Sequence, residues 1–233
     1  MWGYYGEYVS VGEKRRKAQR EIEKRKKTDP GISPVVIEGK KIAKTWWGMA
    51  WTGKMESYAD FSNRIGRGSA YVKNGFVIDL RIAEGEVSSV VMGTSTYKVK
   101  VSISPIGKKK WEELAAGYGR RIDSLSSLIE GHFPKELEQG LLESELFPSP
   151  QEIRFKCSCP DYADLCKHVA ATLYAIGARF DQDPLLFFSL RGIDVSLLIK
   201  KSIDEKMKSL LKNAKKKSPR VIEDADISGL FGL

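Results

Sequence analysis

The sequence predicts an α+β fold in which an antiparallel β-meander packs with helices and a small metal-binding unit follows. Three observations predict it. Residues 68–104, from GSAYVKNG to KVKVSIS, alternate apolar and polar positions between turn signals. From Pro105 to Pro150 the apolar residues recur at three- and four-residue steps, the period of a helix. Four of the chain's five cysteine and histidine residues then fall within CSCPDYADLCKH, residues 157–168. With 233 residues, 42% of them hydrophobic, the chain can bury a real core in one large domain or two small ones.

Charge divides the chain further. The formal net charge is +9, yet Glu13–Lys27 alone carries nine basic and three acidic residues, and Lys200–Arg220 nine basic and two acidic, so the remainder is net −4. The expected organisation is a basic N-terminal arm at 1–30, an α+β region at 31–150, a metal-binding unit with its following helix at 151–196, and a basic helix and tail at 197–233. Basic arms suit a polyanion partner; solvated helical faces account for the same pattern. The candidate phosphate contacts are Lys14, Arg15, Arg16, Lys17, Lys24 and Arg25 in the first arm and Lys215, Lys216 and Lys217 in the second. Lys156 and Lys167 join them from beside the cysteine cluster.

In chain order, TDPGISPVVIEGKKIAKTWWGMAW passes from turn residues through a short apolar strand into a helix. Trp47 and Trp51 share a helical face that Met55 and Tyr58 extend, and core packing explains this stripe better than base stacking. In the meander, Asn74-Gly75, Glu84-Gly85 and Gly93-Thr94-Ser95 separate four expected strands. Phe76, Ile78, Leu80 and Ile82 oppose Asp79 and Arg81, while Tyr97, Val99, Val101 and Ile103 oppose Lys98, Lys100 and Ser102. One face is expected buried and the other wet. Arg81, Lys98 and Lys100 could meet phosphates there, although a solvated face needs no such explanation.

Beyond the meander, Trp111, Leu114, Ile122, Leu125, Leu128 and Ile129 mark helices that Gly117 and Gly119 interrupt, and PKELEQGLLESELF adds a short one. His132, in GHFP with no cysteine nearby, reads as an ordinary turn histidine. Leu165, Val169, Leu173, Ile176 and Phe180 mark an amphipathic helix, and Val195–Leu211 a basic one.

Within the cluster, Cys157 and Cys159 end an expected strand, QEIRFKCSC, where residues two apart point to the same side. Pro160 keeps Cys159 extended before the chain turns. Cys166 and His168 could not share a metal inside a helix, because residues two apart diverge there by about 200°. They are therefore placed at a helix start, with Asp164 as N-cap. The pattern C-x-C-x6-C-x-H supplies three thiolates and one imidazole, the soft tetrahedral set of a closed structural zinc site. One zinc ion would occupy all four donors and leave no position for a catalytic water. A disulfide or a Cys166–His168 nucleophile would leave other cysteines unexplained, and thiols as plain core residues do not explain the spacing. The opening MWGYYGEYVS has no basic segment before an apolar block, and no apolar stretch approaches the ~18 residues of a membrane span. The expectation is a cytoplasmic protein without membrane contact.

In the form CSCPDYADLCKHVAA, with proline after the second cysteine and small residues after the histidine, the motif resembles the SWIM zinc finger. YYGEYVSV, TWWGMAW, RGSAYVKNGFVIDLRIAEGEV, LFPSPQEI and LLFFSLRGIDVSLLI extend the resemblance to full-length prokaryotic SWIM zinc-finger proteins. It implies Cys157, Cys159, Cys166 and His168 as zinc ligands on a ββα unit, a strand pair followed by a helix. It also implies a DNA-binding or protein-interaction module working beside helicase-like ATPases of the Swi/Snf class. The chain has no G-x-x-x-x-G-K-[ST] loop, so such an ATPase would be a separate partner. The expected function is a non-enzymatic, zinc-binding accessory factor that contacts nucleic acid, DNA first, through the arms and around Lys156, Lys167, Arg179 and Arg191. The alternative is a protein-interaction adaptor docking through the finger or the ending IEDADISGLFGL. Neither paired carboxylates nor a nucleophile with its base stands out, so no small-molecule substrate is expected.

Overall fold

The computed structural model describes residues 9–58, 62–118, 125–132, 134–161, 163 and 165–196, with seven helical positions between 200 and 211. The elements run α1 (Val11–Lys26), α2 (Trp46–Ser57), α3 (Ser62–Lys73), β1 (Val77–Ala83), β2 (Glu86–Met92), β3 (Thr96–Ile103), α4 (Lys108–Tyr118), α5 (Leu125–Glu130), α6 (Lys135–Glu143), β4 (Ile153–Cys157), α7 (Lys167–Gln182) and α8 (Leu185–Leu190). The strands form one antiparallel sheet in the order β1-β2-β3-β4. The fold is α+β, and the strand that carries Cys157 is the fourth strand of the meander's own sheet.

The meander itself has three strands, not four. The expected first strand belongs to α3, whose Ile65, Gly68 and Val72 stand three and four apart on one helical face. Gly68 decides this locally, because a Cβ there would lie 2.3 Å from the Ala170 carbonyl carbon and 2.4 Å from the Ala171 nitrogen. Without a side chain, α3 meets the backbone of α7; alternation over six residues could not compete with that packing. Gly68→Ala is expected to lower unfolding stability by about 2–3 kcal/mol, since backbone rather than a flexible side chain must move. A urea midpoint equal to that of the wild type would contradict the close approach.

In β1, Val77 pairs with Val91 and Asp79 with Val90, so Ile78 is the extra residue of a bulge. The bulge breaks the alternation expected from Phe76 to Ile82, and Val77, Ile78 and Leu80 are all buried. The β3 pattern is as expected, with Val99, Val101 and Ile103 buried and Lys98 and Lys100 exposed.

Helix α7 contacts all four strands and α2, α3 and α8. It is not amphipathic in place, being buried from His168 to Ala178 and again at Phe180. Helices on its outer side cover what a surface helix would leave polar, and its Ala170, Ala171 and Gly177 keep them close. The tryptophan stripe of α2 packs as expected: Trp47 and Trp51 are fully buried, their indole N–H groups donating to the Leu128 and Leu173 carbonyls at 2.7 and 2.9 Å. Asp181 of α7 receives the Lys44 and Thr45 amides at 2.5 and 3.0 Å, which fixes the start of α2.

The other face of the sheet is only partly wet. Helix α1 lies against β1 and β2 with Ala18 buried, so the N-terminal basic segment is a docked helix. Ser33–Val35 runs along the edge of β1 through Val35 N–H to Val77 O (3.0 Å) and Leu80 N–H to Ser33 O (2.9 Å), and is not a ladder strand of the sheet. Among the described residues no helix covers the β3–β4 half of this face.

Smaller departures have equally local causes. Helix α4 continues through Gly117, while Gly119 and Ile122 lie outside the described residues. His132 is exposed beside Glu130, Nδ1 to carboxylate 3.1 Å, as a turn histidine should be. Arg191 is 1% exposed: it donates to the carbonyls of Leu146 (3.0 Å), Glu145 (3.2 Å) and Ser104, and to the Glu152 carboxylate (3.1 Å). Arg179 donates to the Ser33 carbonyl at 3.2 Å and to Gln182 at 2.8 Å. Arg191 is an internal tie, which corrects the expectation of phosphate contact there, while Arg179 is half-buried. No helix among the described residues is long and apolar enough to cross a membrane.

Candidate metal centre

A 3-10 turn at Pro150–Glu152 launches β4, the Ser149 amide donating to the Glu152 carboxylate at 2.8 Å. Register then places Cys157 opposite Val99. Pairing persists one residue further, where Ser158 N–H donates to Lys98 O (3.0 Å) and Lys98 N–H to Ser158 Oγ (2.9 Å). Those two bonds hold the backbone extended between Cys157 and Cys159, the condition for two thiols two residues apart to face one point.

The second pair comes from the start of α7. Cys166 is its N-cap, with φ −77° and ψ 167°, and its carbonyl accepts the Ala170 amide at 3.0 Å. The cap stands two residues later than expected, and Asp164 lies outside the described residues. An extended Cys166 followed by a helical His168 removes the 200° divergence of a helix interior and brings both side chains together. With β3 and β4 as its strand pair and α7 as its helix, the unit is ββα, one strand being shared with the meander.

The four ligand atoms of Cys157, Cys159, Cys166 and His168 lie within 4.8 Å of one another. His168 Nδ1 is 3.8 Å from Cys166 Sγ and 3.9 Å from Cys157 Sγ. Zinc bond lengths at a tetrahedral angle put sulfur and nitrogen about 3.6 Å apart, so the donors are placed to bind one zinc ion, with Nδ1 as the histidine donor. When bound, zinc supplies a cross-link between the end of β4 and the start of α7, with no open position among the protein donors.

Two of the thiols share a hydrogen bond. Cys166 is held well below the ordinary thiol range by the hydrogen bond from the Cys157 thiol, with His168 adding to it. Cys157, as donor in that bond and partly buried, is pushed far above the ordinary thiol range. Zinc takes thiolates, so metal entry releases the protons that the thiols hold.

The residues that hold the histidine were missed by sequence reasoning. Tyr97 stacks on the imidazole with centroids 4.4 Å apart, and Tyr71 meets it edge-on at 5.6 Å. A Cβ at Gly93 would lie 2.7 Å from the Tyr97 ring and 2.9 Å from His168 Nε2, a buried atom with no hydrogen-bond partner. The sequence showed Gly93 only as a turn residue and Tyr97 only as one apolar position; no spacing linked either to residue 168.

The basic candidates disperse. Arg15 donates to Asn74 Oδ1 at 2.5 Å, Lys17 pairs with Glu13 at 3.4 Å and Arg25 with Glu21 at 2.7 Å. Lys14 is half-buried, whereas Arg16 and Lys24 are exposed. Lys167 sits 5.6 Å over the Tyr71 ring, and Lys156 projects from the open sheet face. Lys215, Lys216 and Lys217 lie outside the described residues.

Residues 156–177, which include all four donors, match the family model described as SWIM zinc finger. The chain is 34% identical over 156 residues to "Uncharacterized protein Rv2102" of Mycobacterium tuberculosis, a match covering 65% of this chain and 56% of that protein. It thus spans little more than half the length of that relative. No solved structure matches the chain.

Proposed function

From the SWIM zinc finger that this chain carries at residues 156–177, we propose a non-enzymatic accessory factor that uses structural zinc to hold a nucleic-acid-binding surface, DNA being the expected ligand. The observation that carries this reading is charge: a body of net −4 between two strongly basic segments, one of them presented on helix α1. A helicase-like ATPase of the Swi/Snf class would be its separate partner. Three thiols gathered on one metal site fit a reducing cytoplasm.

Because α1 is docked on the sheet, its charges are better neutralised than deleted. Changing Arg16, Arg20, Lys24, Lys26 and Lys27 to Gln in zinc-loaded protein is expected to reduce the log-log salt slope of duplex DNA binding by about 4.5 if all five meet phosphates. An unchanged slope would remove α1 from the interface.

The adaptor reading has one observation in its favour. Ile203, Met207, Leu210 and Leu211, at helical positions, are 53–69% exposed. Their spacing forms one apolar stripe suited to a groove in a protein partner. Negligible binding of duplex DNA, single-stranded DNA and RNA at low salt would leave the adaptor as the better account.

A further inference from the structure

We propose that the open half of the sheet's outer face, across β3 and β4, docks the phosphate backbone of a nucleic-acid duplex. This rests on the nucleic-acid reading above but locates the contact on the folded body rather than the terminal segments. Strand register creates the surface: Lys100 stands opposite Lys156 and Ser102 opposite Arg154, while Lys98 is bonded to Ser158. Two cations of one strand are thereby set about 7 Å apart, and their cross-strand neighbours about 5 Å away.

Like charges directly opposed across a ladder are destabilising. A face shaped only for solubility would alternate signs, yet Lys100 and Lys156 face each other. Lys100 is paired with Glu86 at 2.5 Å, whereas Lys98, Arg154 and Lys156 make no ion pair among the described residues and are exposed. Arg81, by contrast, is held by Asp29 and Asp79 and contributes no free charge. Between the basic side chains lies a hollow of about 350 Å³ lined in part by Ser88, Val90 and Ser158, and also by Asp79, whose carboxylate is engaged by Arg81 and the Ser33 amide. Ser158 Oγ already accepts the Lys98 amide, so its O–H remains to donate.

The chemistry selects the partner. Cations and hydroxyls are what contact phosphate and sugar, and among the described residues this face has no aromatic platform for unstacked bases. Among the described residues it also lacks the apolar wedge of a membrane surface and the aromatic anchor of a protein interface, Val90 being half-buried. The zinc site bears on it directly, because Ser158 lies between two of the ligands and Lys156 immediately precedes the first.

The test uses full-length, zinc-loaded chain and the triple variant Lys98→Gln, Arg154→Gln, Lys156→Gln. For two duplex DNAs of unrelated sequence, the salt slope is expected to fall by about 2.7 and equally for both, with zinc content and melting temperature unchanged. If the triple variant loses zinc, the single Lys156→Gln, with an expected slope change of about 0.9, replaces it. Duplex DNA or duplex RNA as the tighter ligand would each support the surface; a preference for single strands would overturn it. Salt-dependent duplex binding with the same slope in wild type and variant defeats this proposal and leaves the parent reading intact. No binding of any nucleic acid by the wild type defeats both, and tighter binding of polyglutamate than of duplex at matched salt transfers the surface to an acidic protein.

Discussion

Cys166→Ser is expected to abolish zinc binding and to unfold much of the chain, the largest single-residue effect available. Cys166 is buried, caps α7 and stands within the four-donor cluster. Structural zinc contributes on the order of 10 kcal/mol to folding, comparable to the whole stability of a typical domain. The loss cannot stay local, because α7 contacts every strand of the sheet. Zinc released to a chromophoric chelator under denaturing conditions should fall from one equivalent to none, and the urea transition should move to far lower concentration. Chelator treatment of the wild type should reproduce both changes. Acidification should release zinc as well, since protons compete for the thiolates as pH falls. A serine variant that keeps one zinc and the wild-type midpoint would refute the assignment.

The second large effect is expected from Arg191→Ala, at a site with no part in metal binding. The side chain is 1% exposed and serves the carbonyls of Ser104, Glu145 and Leu146 together with the Glu152 carboxylate. Its removal strands those acceptors around a cavity, for an expected destabilisation of about 3–5 kcal/mol. Lysine should rescue only in part, because a single ammonium cannot reproduce the planar fork. Urea denaturation of the zinc-loaded variants measures this, and zinc content should stay at one equivalent. A loss under 1 kcal/mol would mean that water satisfies the carbonyls as well as Arg191 does.

What could be read early differed from what could not by the range of the interaction. The zinc donors were legible because extended backbone before Pro160 and a helix start at Cys166 are local conformations, and a four-donor set announces its own chemistry. The tryptophan stripe of α2 was legible for the same reason: helical spacing alone puts Trp47, Trp51 and Met55 on one face. Residues 68–73 misled because their alternation holds only without a neighbour, and the neighbour, α7, lies a hundred residues on. Arg191 read as a surface cation because nothing in its segment shows that three distant carbonyls converge on it.

Sequence by itself determined the α+β class, the zinc ligands and the concentration of charge at both ends, all of which follow from residue type at short spacing. Tertiary structure alone decided that β4 completes the meander's sheet, that α1 covers half of its outer face, and that Gly93, Tyr71 and Tyr97 hold His168 in place. It also set Lys98 and Lys100 beside Arg154 and Lys156. These are contacts between segments far apart in the chain; strand register and helix packing bring them together, and neither is encoded in the spacing of any one segment.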